Sequence, residues 1–276
     1  MTLFRYEALL VPPGRLAEGE TSAPFEFTLG REDDARLVDS YHGAAMSVQY
    51  VISAEAQTKG FGRSPAHEVE FVLERPPGAA DAQRAEAFAA KQGSGGGGGG
   101  GEAGQAAAAY PVEFALSEST HGGASLGSAL RSRGFEVVCR LDSSVARANS
   151  GLSGWVNIKR ASAPVRAVWL QLVRVERPPG APAGAGGEAS EVMRTQLADG
   201  DVCHGMRLPV HVQLPRLFCC PSVPESLNVG FSLGFEANLM VSFEAEGGAQ
   251  EGPTVMQNVK LLIVPRVPPS RRGGGA

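Results

Sequence analysis

Between Val229 and Phe243 the chain alternates in strict phase, and this restricts the fold more than any other feature. Val229, Phe231, Leu233, Phe235, Ala237, Leu239, Val241 and Phe243 share one parity, while Gly230, Ser232, Gly234, Glu236, Asn238 and Ser242 share the other. Met240 is the one bulky apolar residue in the polar row. A period of two puts each row on its own side of an extended strand, so the pattern predicts a long strand with one buried face. Leu208, Val210, Val212 and Leu214 repeat it, with His211 and Gln213 opposite. So do Val69, Phe71 and Leu73 against Glu68, Glu70 and Glu74, and a row of Met46, Val48, Tyr50 and Ile52. Phe25, Phe27 and Leu29 make a shorter row. In VWLQLVRV the residues Val168, Leu170 and Leu172 face inward, then the apolar phase blurs through Val173 and Val175, which predicts a bulge or burial on both faces.

Many short strands with almost no helical periodicity predict an all-β protein built from sandwiches. Glycine and proline, 36 and 19 residues, are unevenly placed. The run KQGSGGGGGGGEAGQAAAAY divides the strands into two groups and reads as a flexible linker or insertion. Just before it, DAQRAEAFAAK has the composition of a short helix. The expected organisation is a partial N-terminal sandwich over 1–78, an Ala/Gly-rich disordered linker over 79–109, a C-terminal sandwich over 110–268 and a disordered tail over 269–276. RPPGAPAGAGGEAS, from Arg177 to Ser190, reads as a second loose stretch.

A formal charge of −4 gives no electrostatic reason to expect nucleic acid, because phosphate binding needs a concentrated basic surface. Four cysteines, two of them the neighbours Cys219 and Cys220, do not make a secreted disulfide framework. They read as thiols of a reducing compartment. MTLFRYEALLVPPG has no basic segment followed by an apolar one, and no apolar run approaches the roughly 20 residues of a membrane span. The expectation is a soluble, cytosolic protein whose membrane contact is peripheral.

The stretch LADGDVCHGMRLPVHVQLPRLFCCP, Leu197 to Pro221, gathers three cysteines, two histidines and two aspartates. Zinc needs four converging ligands, usually as short-spaced pairs. Cys219/Cys220 and Cys203/His204 are immediate neighbours, which on a strand point to opposite faces. Small buried apolar residues are the better reading of these thiols. Gly123, Ser125 and Gly127 spell G-x-S-x-G, but that motif needs a strand-to-helix turn in an α/β sheet, and the preceding SESTHG is polar. The glycine run lacks the Gly-Lys-Ser/Thr of a phosphate loop. His42, His67, His121, His204 and His211 are scattered. A binding or scaffolding protein is therefore expected, with no catalytic residue, no metal and no cofactor.

WLQLVRVE (Trp169–Glu176), QLADGDVC (Gln196–Cys203) and LPVHVQLPRLFCCP (Leu208–Pro221) resemble the C-terminal domain of the vacuolar protein sorting-associated protein 26 family. PFEFTL (Pro24–Leu29) and YHGAAMSVQYVI (Tyr41–Ile52) are similar to its N-terminal domain. The closest likeness is to the C-type paralogue, the Down syndrome critical region protein 3-like subunit of the retriever complex. The resemblance implies arrestin-like tandem β-sandwiches. It also implies that the N-terminal sandwich is incomplete, because the family has strands ahead of the segment matching TLFRYEALLVPPGRLAEGETSAPFEF. Phe25, Phe27, Val48 and Tyr50 would then be partly uncovered, and the N-terminal part poorly stable.

The same resemblance implies a non-catalytic subunit of an endosomal cargo-recycling assembly. It would dock on a helical-repeat scaffold subunit of retriever or retromer type. A small metallophosphoesterase-fold subunit and a sorting nexin cargo adaptor would complete the assembly, with membrane association only through the complex. Leu197, Ala198, Asp199 and Gly200 carry over as the scaffold-contact loop. Asp-Gly-Asp is turn chemistry, and a tight turn presenting an apolar residue suits an anchor. Taken without the resemblance, the same turn is a hairpin. Leu208, Val210, Val212, Leu214 and Phe218 read as structural. The alternative is a stand-alone arrestin-like adaptor or a small-ligand-binding sandwich, since fold does not fix function.

Overall fold

The computed structural model describes residues 1–15, 18–29, 37–57, 64–92, 110–121, 130, 134–182, 186–200, 202–215, 218–245 and 252–267. The chain is mostly strand, as the alternation predicts. Its centre is a sandwich of two sheets. The strands are β5 (Val112–Ser117), β6 (Phe135–Leu141), β7 (Val145–Arg147), β8 (Gly151–Ala161) and β9 (Val165–Arg177). They continue with β10 (Glu188–Asp199), β11 (Arg207–Gln213), β12 (Ser232–Phe243) and β13 (Thr254–Val264). One sheet has the order β10-β9-β12-β13-β7 and the other β11-β8-β6-β5. All ladders in them are antiparallel except the short β13–β7 pair.

The predicted rows build the core. All eight apolar residues of the Val229–Phe243 row are buried, and so are Leu208, Val210, Val212 and Leu214. Val137, Cys139, Leu152, Val156 and Ile158 share the sheet of the β11 row and meet the β12 row from across the sandwich. Phe135 of β6 reaches Phe243 of β12 edge-on, with ring centroids 5.3 Å apart. Burying one such side chain fully stabilises by about 1.5–3 kcal/mol. Pro209 is accommodated because β11 is an edge strand, where a missing N–H breaks no ladder.

The inward row of β9 does not stop at Leu172. Arg174 and Glu176 keep the parity of Val168, Leu170 and Leu172 and are themselves buried, while Val173 is buried on the opposite face. Burial on both faces is thus the cause of the blurred phase; the register shifts of the β9–β10 ladder fall on β10.

The described residues of 1–78 form two small ladders. β1 (Tyr41–His42) pairs with β2 (Ser47–Val48), and β3 (Tyr50–Glu55) pairs with β4 (Ala66–Phe71). Phe25 is exposed and stacks on half-buried Phe27, both partly uncovered as expected. Val48 and Tyr50 are not uncovered, which corrects the expectation. Tyr50 donates its hydroxyl to Val38 O at 2.6 Å and lies 5.8 Å from the Phe71 ring. Val69 is 52% exposed, so the buried row read for β4 is only half realised, with Phe71 and Leu73 partly covered.

Residues 79–92 fall within the span expected as linker and form helix α1 (Ala79–Gln92), which contains the DAQRAEAFAAK segment whose composition suggested a short helix. Asp81 in its first turn accepts from Gly78 N at 2.8 Å and pairs with Arg84, which suits the positive helix end. At the other end Gln92 Nε2 donates to Lys260 O at 2.7 Å, fixing α1 against β13. A second helix, α2 (Glu118–His121), follows β5. The glycine run over 93–109, the Gly123–Ser125–Gly127 motif and the tail from 268 lie outside the described residues.

Candidate partner-docking site

The connection from β10 to β11 is not a hairpin. The two strands belong to different sheets, so the loop crosses the open side of the sandwich. It is held at both ends. Gly200 N donates to Arg166 O of β9 at 2.6 Å, and Gly205 N donates to Ile158 O of β8 at 2.9 Å. Asn157 Nδ2 adds a bond to Gly205 O at 3.3 Å. Gly200 and Gly205 have φ of +66° and +81° with open space where a Cβ would stand. The backbone conformation, not crowding, demands glycine at both.

The four carried-over residues fall into two kinds. Leu197 and Ala198 are half-buried against the hydrophobic core, while Asp199 is exposed. Leu197 sits at a register shift, between Gln196 opposite Trp169 and Ala198 opposite Val168. Such a bulge re-aims the strand and ends its pairing. Asp201 lies outside the described residues. The apolar side chain this loop offers to solvent is Met206, 49% exposed.

The Cys/His stretch is dispersed by the fold. Cys203 and His204 are exposed on the loop, and His211 faces outward from β11 beside Gln213. Cys219 is buried and Cys220 half-buried at the far end of β11. Burial pushes the Cys139 and Cys219 thiols up to about 12, and Cys220 upward as well. Among the described residues no three His, Cys, Asp or Glu side chains are grouped to hold a metal ion. Phe218, read as structural, is 50% exposed because it follows the strand rather than extending its inward row.

Two further features escaped the sequence reading. The first is a buried polar joint between the two halves of the chain. Glu176 Oε2 pairs with Arg174 Nε at 3.2 Å, whose N–H donates to Ser190 Oγ, and accepts from the backbone N–H of Ala44 and Ala45 at 3.0 and 3.2 Å. The Arg174 guanidinium lies 5.7 Å over the Tyr41 ring. Burial first, and then the Glu176 carboxylate, push the Tyr41 phenol well up. A Cβ on Gly43 would stand 1.8 Å from Glu176 Oε1 and 2.4 Å from the Tyr41 hydroxyl, so a larger residue here would displace both side chains. The signal was the parity of Arg174 and Glu176, masked by their charge.

The second is the layout of the outer face of the five-stranded sheet. At one end α1 lies beside it, with Phe88 facing Val175, Glu236 and Lys260 across an open cleft of about 290 Å³. In the middle, side-chain amides form a ladder across the strands. Gln171 Nε2 donates to Glu191 Oε2 at 2.5 Å, Asn238 Nδ2 to Gln171 Oε1 at 2.9 Å, and Asn258 Nδ2 to Asn238 Oδ1 at 2.8 Å. In the next row Trp169, Met240 and Met256 stand side by side on β9, β12 and β13. Gln196 of β10 ends that row, and Asp199 lies opposite Ala167. No described helix is long and apolar enough to cross a membrane.

Comparison with known proteins matches residues 154–246 to the family "Vacuolar protein sorting-associated protein 26". Vacuolar protein sorting-associated protein 26C of Dictyostelium discoideum is 26% identical over 251 residues, covering 91% of this chain and 73% of that protein. Among solved structures, the sporulation control protein Spo0M of Bacillus subtilis aligns with a TM-score of 0.36 and 12% identity, over 47% of this chain and 49% of that one.

Proposed function

The chain belongs to the vacuolar protein sorting-associated protein 26 family, on its C-type branch, and from that premise we propose that it is a non-catalytic subunit of a retriever-type endosomal recycling complex. Family membership supports a role in vacuolar and endosomal protein sorting. In this reading the 110–268 sandwich docks on a helical-repeat scaffold subunit through the Leu197–Gly200 loop. The small metallophosphoesterase-fold subunit and the sorting nexin adaptor join through that scaffold, and the chain reaches endosomal membrane only with them.

One observation carries the proposal. The loop is held to both sheets by the Gly200 and Gly205 bonds, so it presents Asp199 and Met206 on a rigid base. A pre-organised loop loses little entropy on binding. Leu197 and Ala198 pack on the core, so charges placed there would also unfold the strand end. The test therefore uses Asp199→Arg with Met206→Asp, titrated against the cognate scaffold subunit. Loss of a central anchor costs at least about 2 kcal/mol, roughly thirtyfold in Kd. Unchanged affinity in a variant with the wild-type unfolding midpoint would remove the loop from the interface.

A further inference from the structure

We propose that the scaffold contact does not end at the loop but continues across the outer face of the five-stranded sheet, where Trp169, Met240 and Met256 receive an apolar helix face. This rests on the docking reading above and extends it. A stable interface buries about 800 Å² on each partner, some 20–30 residues a side. Four loop residues cannot supply that area, so the contact has to extend onto adjoining surface. The row adjoins it directly. Gln196 is the register partner of Trp169, and Asp199 lies opposite Ala167, two positions before Trp169 on β9. Two residues along a strand are about 7 Å.

The composition of the row fits a docking surface. Met256 is 50% exposed, and Trp169 and Met240 beside it are half-buried, on the solvent side of a sheet whose neighbouring row is amides. Tryptophan is enriched among binding anchors, and methionine adapts its shape to a partner. The amide ladder of Gln171, Asn238 and Asn258 bounds the row on one side with polar groups already bonded to each other.

Geometry selects a helix as the occupant. Adjacent strands are about 4.8 Å apart, so the step from β9 through β12 to β13 is about 10 Å. Side chains i and i+7 of an α-helix are about 10.5 Å apart on one face. An i, i+3 or i+4, i+7 apolar stripe therefore meets Trp169, Met240 and Met256 together. The same sheet face already has a helix beside it, since Phe88 of α1 stands over Val175 at the opposite end. A strand would have to add at the β10 edge, where two register shifts interrupt the ladder.

The experiment titrates the full chain against the scaffold subunit in four forms. These are wild type, Met240→Glu/Met256→Glu, Met240→Leu/Met256→Leu, and the loop variant Asp199→Arg/Met206→Asp. The glutamate pair is expected to weaken binding at least tenfold at an unchanged unfolding midpoint, and the leucine pair to restore it to within about threefold of wild type. Binding lost in the loop variant but kept in the glutamate pair overturns the extended surface and leaves the loop reading standing. A wild-type chain that does not bind overturns both. In parallel, a photoreactive residue at Met256 in the otherwise native chain is expected to crosslink to one helix of the scaffold. Crosslinking to a second copy of this chain, or to no scaffold helix, overturns the proposal whatever the folding of the glutamate pair.

Discussion

The C-terminal sandwich and the N-terminal ladders carry the same kind of sequence and end in different states. The Val229–Phe243 row and the Val69–Leu73 row both alternate, each with one apolar residue, Met240 and Val72, in its polar row. The first is buried throughout, and the second leaves Val69 52% exposed. The difference is the presence of a second layer. β12 faces β6 and β8 across a packed core, whereas among the described residues β4 pairs with β3 alone in a two-stranded ladder. Alternation determines which side chains share a face, and only an opposing sheet determines whether that face leaves water. A two-stranded ladder by itself is marginal. The N-terminal part is held within itself by Tyr50 bonded to Val38, and is attached to the sandwich where Glu176 holds the turn at Ala44 and Ala45.

The largest effects should separate the two regions directly. Phe243→Ala removes a ring with no exposed surface and its edge-on contact with Phe135. It is expected to cost about 3–5 kcal/mol in urea unfolding monitored by Trp155 and Trp169 fluorescence. Val69→Ala is expected to cost less than about 0.5 kcal/mol by the same measure. Similar losses at the two sites would mean that β4 is covered in solution, and the contrast between the regions would collapse.

The joint between the regions is the next test. Glu176→Gln keeps the shape of the side chain but removes the charge that faces buried Arg174 and holds two backbone amides. Hydrogen bonds to a charged group are worth about 1.5–3 kcal/mol, and the expected loss of stability is about 2–3 kcal/mol. The sharper readout is local. Hydrogen exchange at the Ala44 and Ala45 amides should accelerate well beyond that at the β9–β12 ladder. If all of them accelerate together, the carboxylate supports the sandwich as a whole and not the attachment of the N-terminal segment.

The rows that were legible in the sequence are those whose apolar residues keep one parity and meet a second sheet. Arg174 and Glu176 share the inward parity of Leu170 and Leu172, but charge ordinarily marks the solvent side, and their mutual ion pair with the Ala44 and Ala45 amides reverses that. Met240, the odd residue of its polar row, gains its meaning from Trp169 and Met256 beside it, and pairing across strands is not written in the period of any one strand. For the same reason the order β10-β9-β12-β13-β7 could not be read in advance, nor that β10 and β11 belong to different sheets. Asp199 and Gly200 marked a turn of the chain, but Leu197–Asp199 are the end of strand β10 and the turn starts at Gly200. The half-buried place of Leu197 was not legible, because a bulge shifts the register without changing the sequence pattern.

The smallest effect belongs to the rim of the sandwich and tests how locally its edge is held. Glu118 at the start of α2 accepts from Phe135 N at 3.0 Å and pairs with Arg160 at 3.2 Å, joining the end of β5 to the start of β6. Backbone N–H groups, chiefly its own and that of Phe135, and then Arg160, hold its carboxyl below the usual 4.5. A carboxyl whose folded value is depressed stabilises the fold above its unfolded value, and that contribution is lost as pH falls through the folded value. The wild-type chain should therefore lose a small increment of stability below about pH 4.5 that Glu118→Gln lacks at every pH. Because the group is exposed, solvent screens the pair, and the increment should be the slightest of these effects. Its readout is the difference between the two proteins in unfolding midpoint from pH 7 to pH 3. A difference that narrows as pH falls places the anchor at Glu118. A constant difference would mean that Phe135, the ring that meets Phe243, is held by packing alone.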